Sequence, residues 1–342
     1  MNSKVSSTAA SSPSVSQQPG QAGWRSKLTV GIVVVLALIG VLLPWYASVA
    51  GDSYSITLVS RILVYALAAV GLNLALGFGG MVSMGHAMYL GLGAYTVLLT
   101  ADAGVSNGWL QLLVLVAVVS VIAAIVGWIS LRTEGIAFIM ITLAFAQLFY
   151  FLFVSLKTYG GDEGMSLPQV SDFGVLSSTP TGLYYFLLAA LGLICCGTYR
   201  LRNSRFGLLL RATRINERRV KAVGSPPLPY RLTAYVLSAL ICALAGFFLA
   251  NLTGFVSPAY LAWTVSGELI AMVVLGGVGT VLGPVLGAVS LLLVEEVLKA
   301  ITERWLLILG PLILIMVLVL RNGIAGLLAG KNDSDDGQGG AA

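Results

Sequence analysis

The spacing of charge along the chain constrains its fold more than any other feature. A charged side chain at the centre of a bilayer costs about 3 kcal/mol or more, and roughly 20 apolar residues cross the hydrocarbon, so charge-free runs mark membrane spans. Such runs cover residues 28–51, 62–101, 103–131, 135–156, 173–199, 232–267, 269–294 and 305–320. The 342 residues include only 19 Lys+Arg and 14 Asp+Glu, and 58% are hydrophobic. A soluble domain is about 25% charged, so this chain cannot clothe itself for water. One polytopic membrane domain over residues 28–325 is expected, flanked by polar tails at 1–27 and 326–342 that are too poor in apolar residues to fold. The Ser48-Val49-Ala50 run resembles a peptidase site, but the polar leader and the length of the first apolar run favour an uncleaved anchor.

Two of the runs are too long or too rich in glycine to be single helices. Residues 62–101 hold Gly77, Gly79, Gly80 and Gly85 at their middle, and 269–304 break at Gly276, Gly277, Gly279, Gly283 and Pro284. Splitting both gives an all-α integral membrane protein of about ten transmembrane helices with Gly-rich broken or re-entrant segments. With the N-terminus in the cytoplasm, ten crossings leave 15 of the 19 positive charges inside, and only Arg61, Lys157, Lys299 and Arg304 outside. This is a strong positive-inside bias. A re-entrant dip near residue 280 would reduce the count to nine and move the C-terminus outside.

Most catalytic chemistry is excluded. Cys195, Cys196 and Cys242 lie in apolar stretches and read as small core residues, and His86 is the only histidine, so the chain holds no multi-imidazole metal site. The sequence contains no GxxxxGK[ST] phosphate loop. GGVGTVLG at 276–283 lacks the lysine and the preceding soluble strand, so close helix packing explains it better. No paired carboxylates or activated nucleophile fall within the spans, which disfavours a membrane enzyme. No cofactor and no nucleic-acid partner are expected; the positive charge belongs to the inner membrane face.

The most informative segment is the basic loop 199–231, which carries nine positive charges. Arg211, Arg214, Arg218 and Lys221 recur at helical steps, with Leu208, Ala212, Ile215 and Ala222 on the opposite side, so an amphipathic helix is expected. Gly224 offers a left-handed stop, and Ser225-Pro226-Pro227 prevents continuation. Anchorage on anionic lipid would explain the charge alone. A capped rod with a rigid exit is instead suited to passing force to a soluble partner.

The run RATRINERRVKAVGSPPLPYRLTAYVLSALICALAG, residues 211–246, resembles the cytoplasmic coupling loop and following span of permease subunits of branched-chain amino acid ABC importers, of the LivM type. GLNLALGFGGMVSMGHAMYLGLGAYT (71–96), LRTEGIAFIMITLAFAQ (131–147), GGDEG (160–164) and GGVGTVLGPVLGA (276–288) extend the resemblance, in order, over most of residues 60–300. It implies a bacterial inner-membrane subunit that hydrolyses no ATP itself. Its implied partners are a second related permease, ATP-binding cassette subunits and a periplasmic solute-binding protein. The resemblance places the ATPase contact around Arg214, Asn216, Glu217, Arg218, Ala222 and Gly224. The strict Glu-Ala-Ala-x-x-x-Gly loop of other importers is absent, with Glu217, Ala222 and Gly224 as loose equivalents.

Glycines as dense as those of GFGGMVSMGHAM weaken a helix, and backbone freed inside a membrane is tolerated where it lines a polar cavity. Asn73, Gly79, Gly80, Ser83 and His86 are therefore candidates for the border of a translocation path; a tight turn packed by glycine is the alternative. Gln147, among Phe138, Phe145, Phe149 and Phe151, and Glu268, near the outer end of a span, are further candidates. A hydrogen bond between helices and a wet interfacial acid are their plainer readings. The outer loop 157–180, with Asp162, Glu163 and Asp172, would receive the binding protein. The expected function is translocation of branched-chain amino acids or similar small polar solutes. The alternatives are a permease of the same family for urea or short amides, and an ion-coupled secondary transporter.

Overall fold

The computed structural model describes residues 40–42, 44, 53–174, 180–319 and 323–329. The N-terminal tail, the Ser48–Ala50 site, most of the first apolar run and residues 330–342 lie outside these. The regular structure of the described residues is helical, apart from a short antiparallel pairing of β1 (Met165–Ser166) with β2 (Phe255–Val256) and a single bridge between Asn107 and Asp172. Its helices in order are α1 (Ser53–Asn73), α2 (His86–Asp102), α3 (Gly108–Ser130), α4 (Ile136–Ser155), α5 (Pro180–Arg202), α6 (Arg205–Ile215), α7 (Glu217–Ala222), α8 (Pro227–Thr253), α9 (Trp263–Gly276), α10 (Gly283–Ile301), α11 (Trp305–Val319) and α12 (Gly323–Ala329). α12 carries regular structure past residue 325, where the polar tail was expected to begin.

Among the described residues, five helices are long and apolar enough to cross a bilayer outright: α1 with the turn that follows it (Tyr54–Phe78), α3, α4, α5 and α8. The long run 62–101 divides between α1 and α2 at its glycines, and 269–304 divides between α9 and α10 at its own. With 14 residues, α9 rises about 21 Å, less than the ~30 Å of hydrocarbon, so its flanking segments must complete any crossing.

Packing is driven by small residues rather than by apolar area, since lipid is as apolar as leucine. α1, α2 and α8 form the centre. On α2 and α8 the backbones approach until a Cβ on Gly93 would overlap the Ala243 carbonyl, and one on Gly246 the Leu90 carbonyl. Ala239, Ala243, Ala245 and Ala250 line the same helix and are fully buried. The α9–α10 hairpin uses the same device, with Gly276 against Gly283 and Gly287 against the Met272 carbonyl. The rim is opposite in character: Leu113, Val121, Ile125, Met140, Phe151 and Leu193 are exposed on α3, α4 and α5. Such a surface is intolerable in water and suits acyl chains. Cys242 is buried in the centre, as expected of a small core residue, whereas Cys196 is exposed on α5. Tyr184 and Tyr185 of α5 donate to the carbonyls of Gly40 and Val41, which seats the described part of the first apolar run against α5.

Candidate functional site

Four chain segments meet at the end of the molecule that carries the basic loop. α1 does not stop cleanly but widens into a π turn, Leu74–Phe78, whose wider hydrogen bonding is completed by Gly79 N–H to the Leu74 carbonyl at 3.3 Å. The chain then reverses at Gly80, which has φ +67°, a left-handed conformation that glycine adopts without strain. The Arg214 guanidinium of α6 reaches into this bend and donates to the Gly77 carbonyl. Its stem lies where a side chain on Gly80 would stand, 2.7 Å from that Cβ. Asn73 faces the other way. Its Nδ2 donates to the Thr280 carbonyl at 2.7 Å, and its Oδ1 accepts from Gly279 N–H at 2.9 Å. Gly323 of α12 rests against Gly277. The two glycine breaks, far apart in sequence, are thus joined by Asn73, and the first is joined to the basic loop by Arg214.

Residues 79–85 then run as irregular backbone, and side chains take up several of the donors there and at the start of α2. Met84 N–H donates to Thr142 Oγ1 at 3.2 Å, Gly85 N–H to Ser83 Oγ at 3.2 Å, and Ala87 N–H to Ser266 Oγ at 2.9 Å. These side chains satisfy donors that the start of α2 leaves open. His86 Nε2 lies 2.8 Å from Ser238 Oγ, and that hydroxyl donates to the Gly71 carbonyl at 2.5 Å. A hydroxyl has one proton to give, so Ser238 accepts from His86, which fixes the Nε2–H tautomer. Its Nδ1 is buried without a partner among the described residues. Tyr89 and Tyr235 are hydrogen-bonded at 3.2 Å and pack edge-on against the imidazole.

Of the path candidates, Asn73, Gly79, Ser83 and His86 are therefore buried within this chain, while Gly80 and Glu268 are exposed and Gln147 is half-buried. Thr142 and Gln147 do not act together. Five residues apart, they are rotated by about 140° around α4, so Thr142 serves Met84 from the buried face and Gln147 sits on a different one.

The basic loop is two helices rather than one rod. Ser204 caps α6, with Gly207 N–H donating to its Oγ at 3.3 Å, and α6 ends at Asn216, whose backbone is extended. Asn216 then caps α7 through its own Oδ1, which accepts from Arg219 N–H at 3.0 Å. Asparagine competes locally for backbone donors, which explains a break that side-chain periodicity alone does not reveal. The stop is where the sequence places it: Gly224 has φ +85°, and Pro227 opens α8. The buried face differs from the expected stripe. Gly207, Leu210, Thr213 and Val220 pack inward, whereas Ile215 and Val223 are both 84% exposed and Leu208 also faces out. Ala222 and Gly224 are exposed beside them, and Arg218 is exposed as well.

Glu217 ties this loop to the spans. Its carboxylate meets Lys221 Nζ at 2.8 Å and Arg231 Nη1 at 2.9 Å, and Arg231 also lies 3.8 Å from Glu134 in the turn between α3 and α4. The Lys221 hydrogen bond, chiefly, and Arg231 hold the Glu217 carboxyl below the usual carboxylate range despite some burial.

At the opposite end the loop after α4 is fastened rather than loose. Besides the β1–β2 pairing, Leu167 N–H donates to the Gly254 carbonyl at 2.8 Å, and Ser171 N–H to Asn251 Oδ1 at 2.9 Å. Asp172 exchanges backbone hydrogen bonds with Ser106 and Gly108. A charged group that sequence reasoning had not assembled also lies toward this end. Glu295 of α10 takes Arg61 of α1 at 3.3 Å and Lys299 at 2.5 Å, and the charges of all three act on Glu268. The i,i+4 spacing of Glu295 and Lys299 is legible in the sequence; the contact with Arg61 is not.

Comparison with known proteins agrees with these features. Residues 54–319 match the family model described as branched-chain amino acid transport system / permease component. The chain is 29% identical to the high-affinity branched-chain amino acid transport system permease protein LivM of Salmonella typhimurium, over 85% of this chain and 74% of that one. Its identity to LivM of Escherichia coli is 26%, over 88% and 75%. The LivH permease protein of Escherichia coli is 25% identical over 77% of this chain and 91% of its own length. No solved structure matches the chain.

Proposed function

Because this chain belongs to the family of branched-chain amino acid transport permease components, we propose that it is the LivM-type permease subunit of an ATP-driven importer of branched-chain amino acids in the bacterial inner membrane. The observation that carries the reading is the contact of Arg214 with the π turn at Gly77, continued through Asn73 to Gly279 and Thr280. It gives the basic loop direct purchase on the first broken segment of the membrane domain and, through Asn73, an indirect hold on the second.

A partner ATPase subunit docks on the exposed Leu208, Ile215, Arg218, Ala222 and Val223 surface. Asn216 and Glu217 keep α7 in place beneath it. Closure of the ATPases on nucleotide moves α6, and Arg214 transmits that movement to the bends at Gly77–Gly80 and Gly277–Thr280. Ten crossings, counting α2, α9, α10 and α11 with the first apolar run, leave the basic loop in the cytoplasm. ATP hydrolysis stays with the partners. A second permease, related as LivH is, completes the path. Gly80, Gln147 and Glu268 face that path, and Asn73, Gly79, Ser83 and His86 shape the broken wall behind it. The fastened loop 157–174 with β2 receives the solute-binding protein on the other side.

The direct test is Ala222→Trp. Ala222 is exposed and ordinary in backbone, so a bulky replacement there disturbs a docked partner and little else. The expected result is loss of ATP-dependent uptake by the assembled transporter, with normal amounts of the variant in the membrane. Unchanged uptake would show that the loop only anchors topology.

A further inference from the structure

We propose that Glu268 and Arg61 form a binding station for a zwitterionic α-amino acid at the outer part of the translocation path, with Glu268 taking the ammonium group and Arg61 the carboxylate. The inference rests on the transport reading above and names the groups by which the membrane subunit itself holds the solute.

The argument starts from where charge is tolerated. Arg61 lies eight residues into α1, about 12 Å along its axis, and Glu268 five residues into α9. Charges at such depth are costly unless they face water or a partner. Within the cluster, Glu295 is the buried member, with 8% of its side chain exposed, and it takes both cations. One carboxylate thus serves two positive groups. Arg61 remains 40% exposed and makes one hydrogen bond among the described residues, to Glu295 at 3.3 Å, so most of its five donors are open. Glu268 is exposed and has no hydrogen bond or ion pair among the described residues. The four charges sum to zero, and α9 packs against α1, which leaves an acid without an ion pair and a partly open guanidinium on neighbouring helices. That arrangement complements a solute carrying one charge of each sign.

The surface around Glu268 is also not a lipid surface. Thr264, one turn away at i−4, is exposed, and nothing lies within 4 Å of a Cβ built on Gly267. The exposed faces of α3 and α4 carry Leu113, Val121, Ile125, Met140 and Phe151 instead. A small, polar, charged face on one side and a bulky apolar one on the other distinguish path from lipid. Tyr65 lies beneath the pair, with the Arg61 guanidinium 5.8 Å from its ring centre.

The test uses the complete transporter in vesicles, with Glu268→Gln as the main variant because it removes a charge that has no hydrogen bond or ion pair among the described residues. Wild type must first show ATP-dependent leucine uptake; without that, the transport reading itself fails. Given it, E268Q is expected to lose about tenfold in uptake, while nucleotide hydrolysis stimulated by loaded binding protein stays within about twofold of wild type. Glu268→Asp restores part of the loss. Arg61→Lys, which keeps the charge but not the fork, should also reduce uptake. Phosphatidylethanolamine carries similar headgroup charges, so the assay is repeated in vesicles lacking it. A defect that persists there supports the solute, and one confined to vesicles containing that lipid overturns the proposal. Full uptake by E268Q, or loss of its association with the second permease, also overturns it.

Discussion

Asn73 shows how a buried polar side chain can bind one interruption of a membrane domain to another. It satisfies one donor and one acceptor of the 277–280 turn, so Asn73→Ala leaves Gly279 N–H and the Thr280 carbonyl without partners and should destabilise the fold by about 2–4 kcal/mol. A lower melting temperature in detergent, with Asn73→Asp intermediate, would be the signature. Gly246 makes the corresponding point for packing. A side chain there meets the Leu90 carbonyl, so Gly246→Leu should separate α2 from α8 and abolish stable membrane accumulation, whereas Gly192→Leu, in open space on α5, should be neutral. Neither effect is legible in sequence. The glycine density at 77–85 announces a break, but that Gly77 lies against Gly279 and Gly80 against Arg214 depends on segments more than a hundred residues away.

At the scale of elements, the two split runs, the Gly224 stop and the Pro226-Pro227 exit are legible in the sequence because each depends on local backbone chemistry. The break at Asn216 and the rotated face of the basic loop are not. Ile215 and Leu208 satisfy a helical period yet face out, since the period gives the apolar stripe but not what covers it, and no described residue does. Glu217 is the clasp of this element, and its folded carboxyl lies below the ordinary value. A depressed carboxyl stabilises fully above its unfolded pKa of about 4 and loses that contribution as pH falls through the folded value. Hydrogen-exchange protection of residues 205–224 should thus be flat from pH 7 to 5 and fall under acid conditions, and Glu217→Gln should remove that acid-dependent loss. The exposure of Lys221 keeps the effect small, about 1 kcal/mol or less.

At the scale of the whole molecule, a centre of small residues, an apolar rim and two joined breaks fit the proposed permease role. The spacing of charge already excludes a soluble domain, and the proposed reading leaves nucleotide chemistry to partner chains. What the sequence could not show is that the basic loop reaches both breaks through so few groups. Arg214 is the first of them, and Arg214→Ala removes the contact with Gly77 without touching the exposed Ile215–Val223 surface. The decisive measurement is therefore hydrolysis and uptake together, in vesicles holding the complete transporter with this substitution. The account requires ATP hydrolysis to continue at close to the wild-type rate while uptake falls about tenfold or more, because the motor remains docked but its link to the gate is cut. Uptake and hydrolysis that fall in parallel, or uptake that is unchanged, would contradict it.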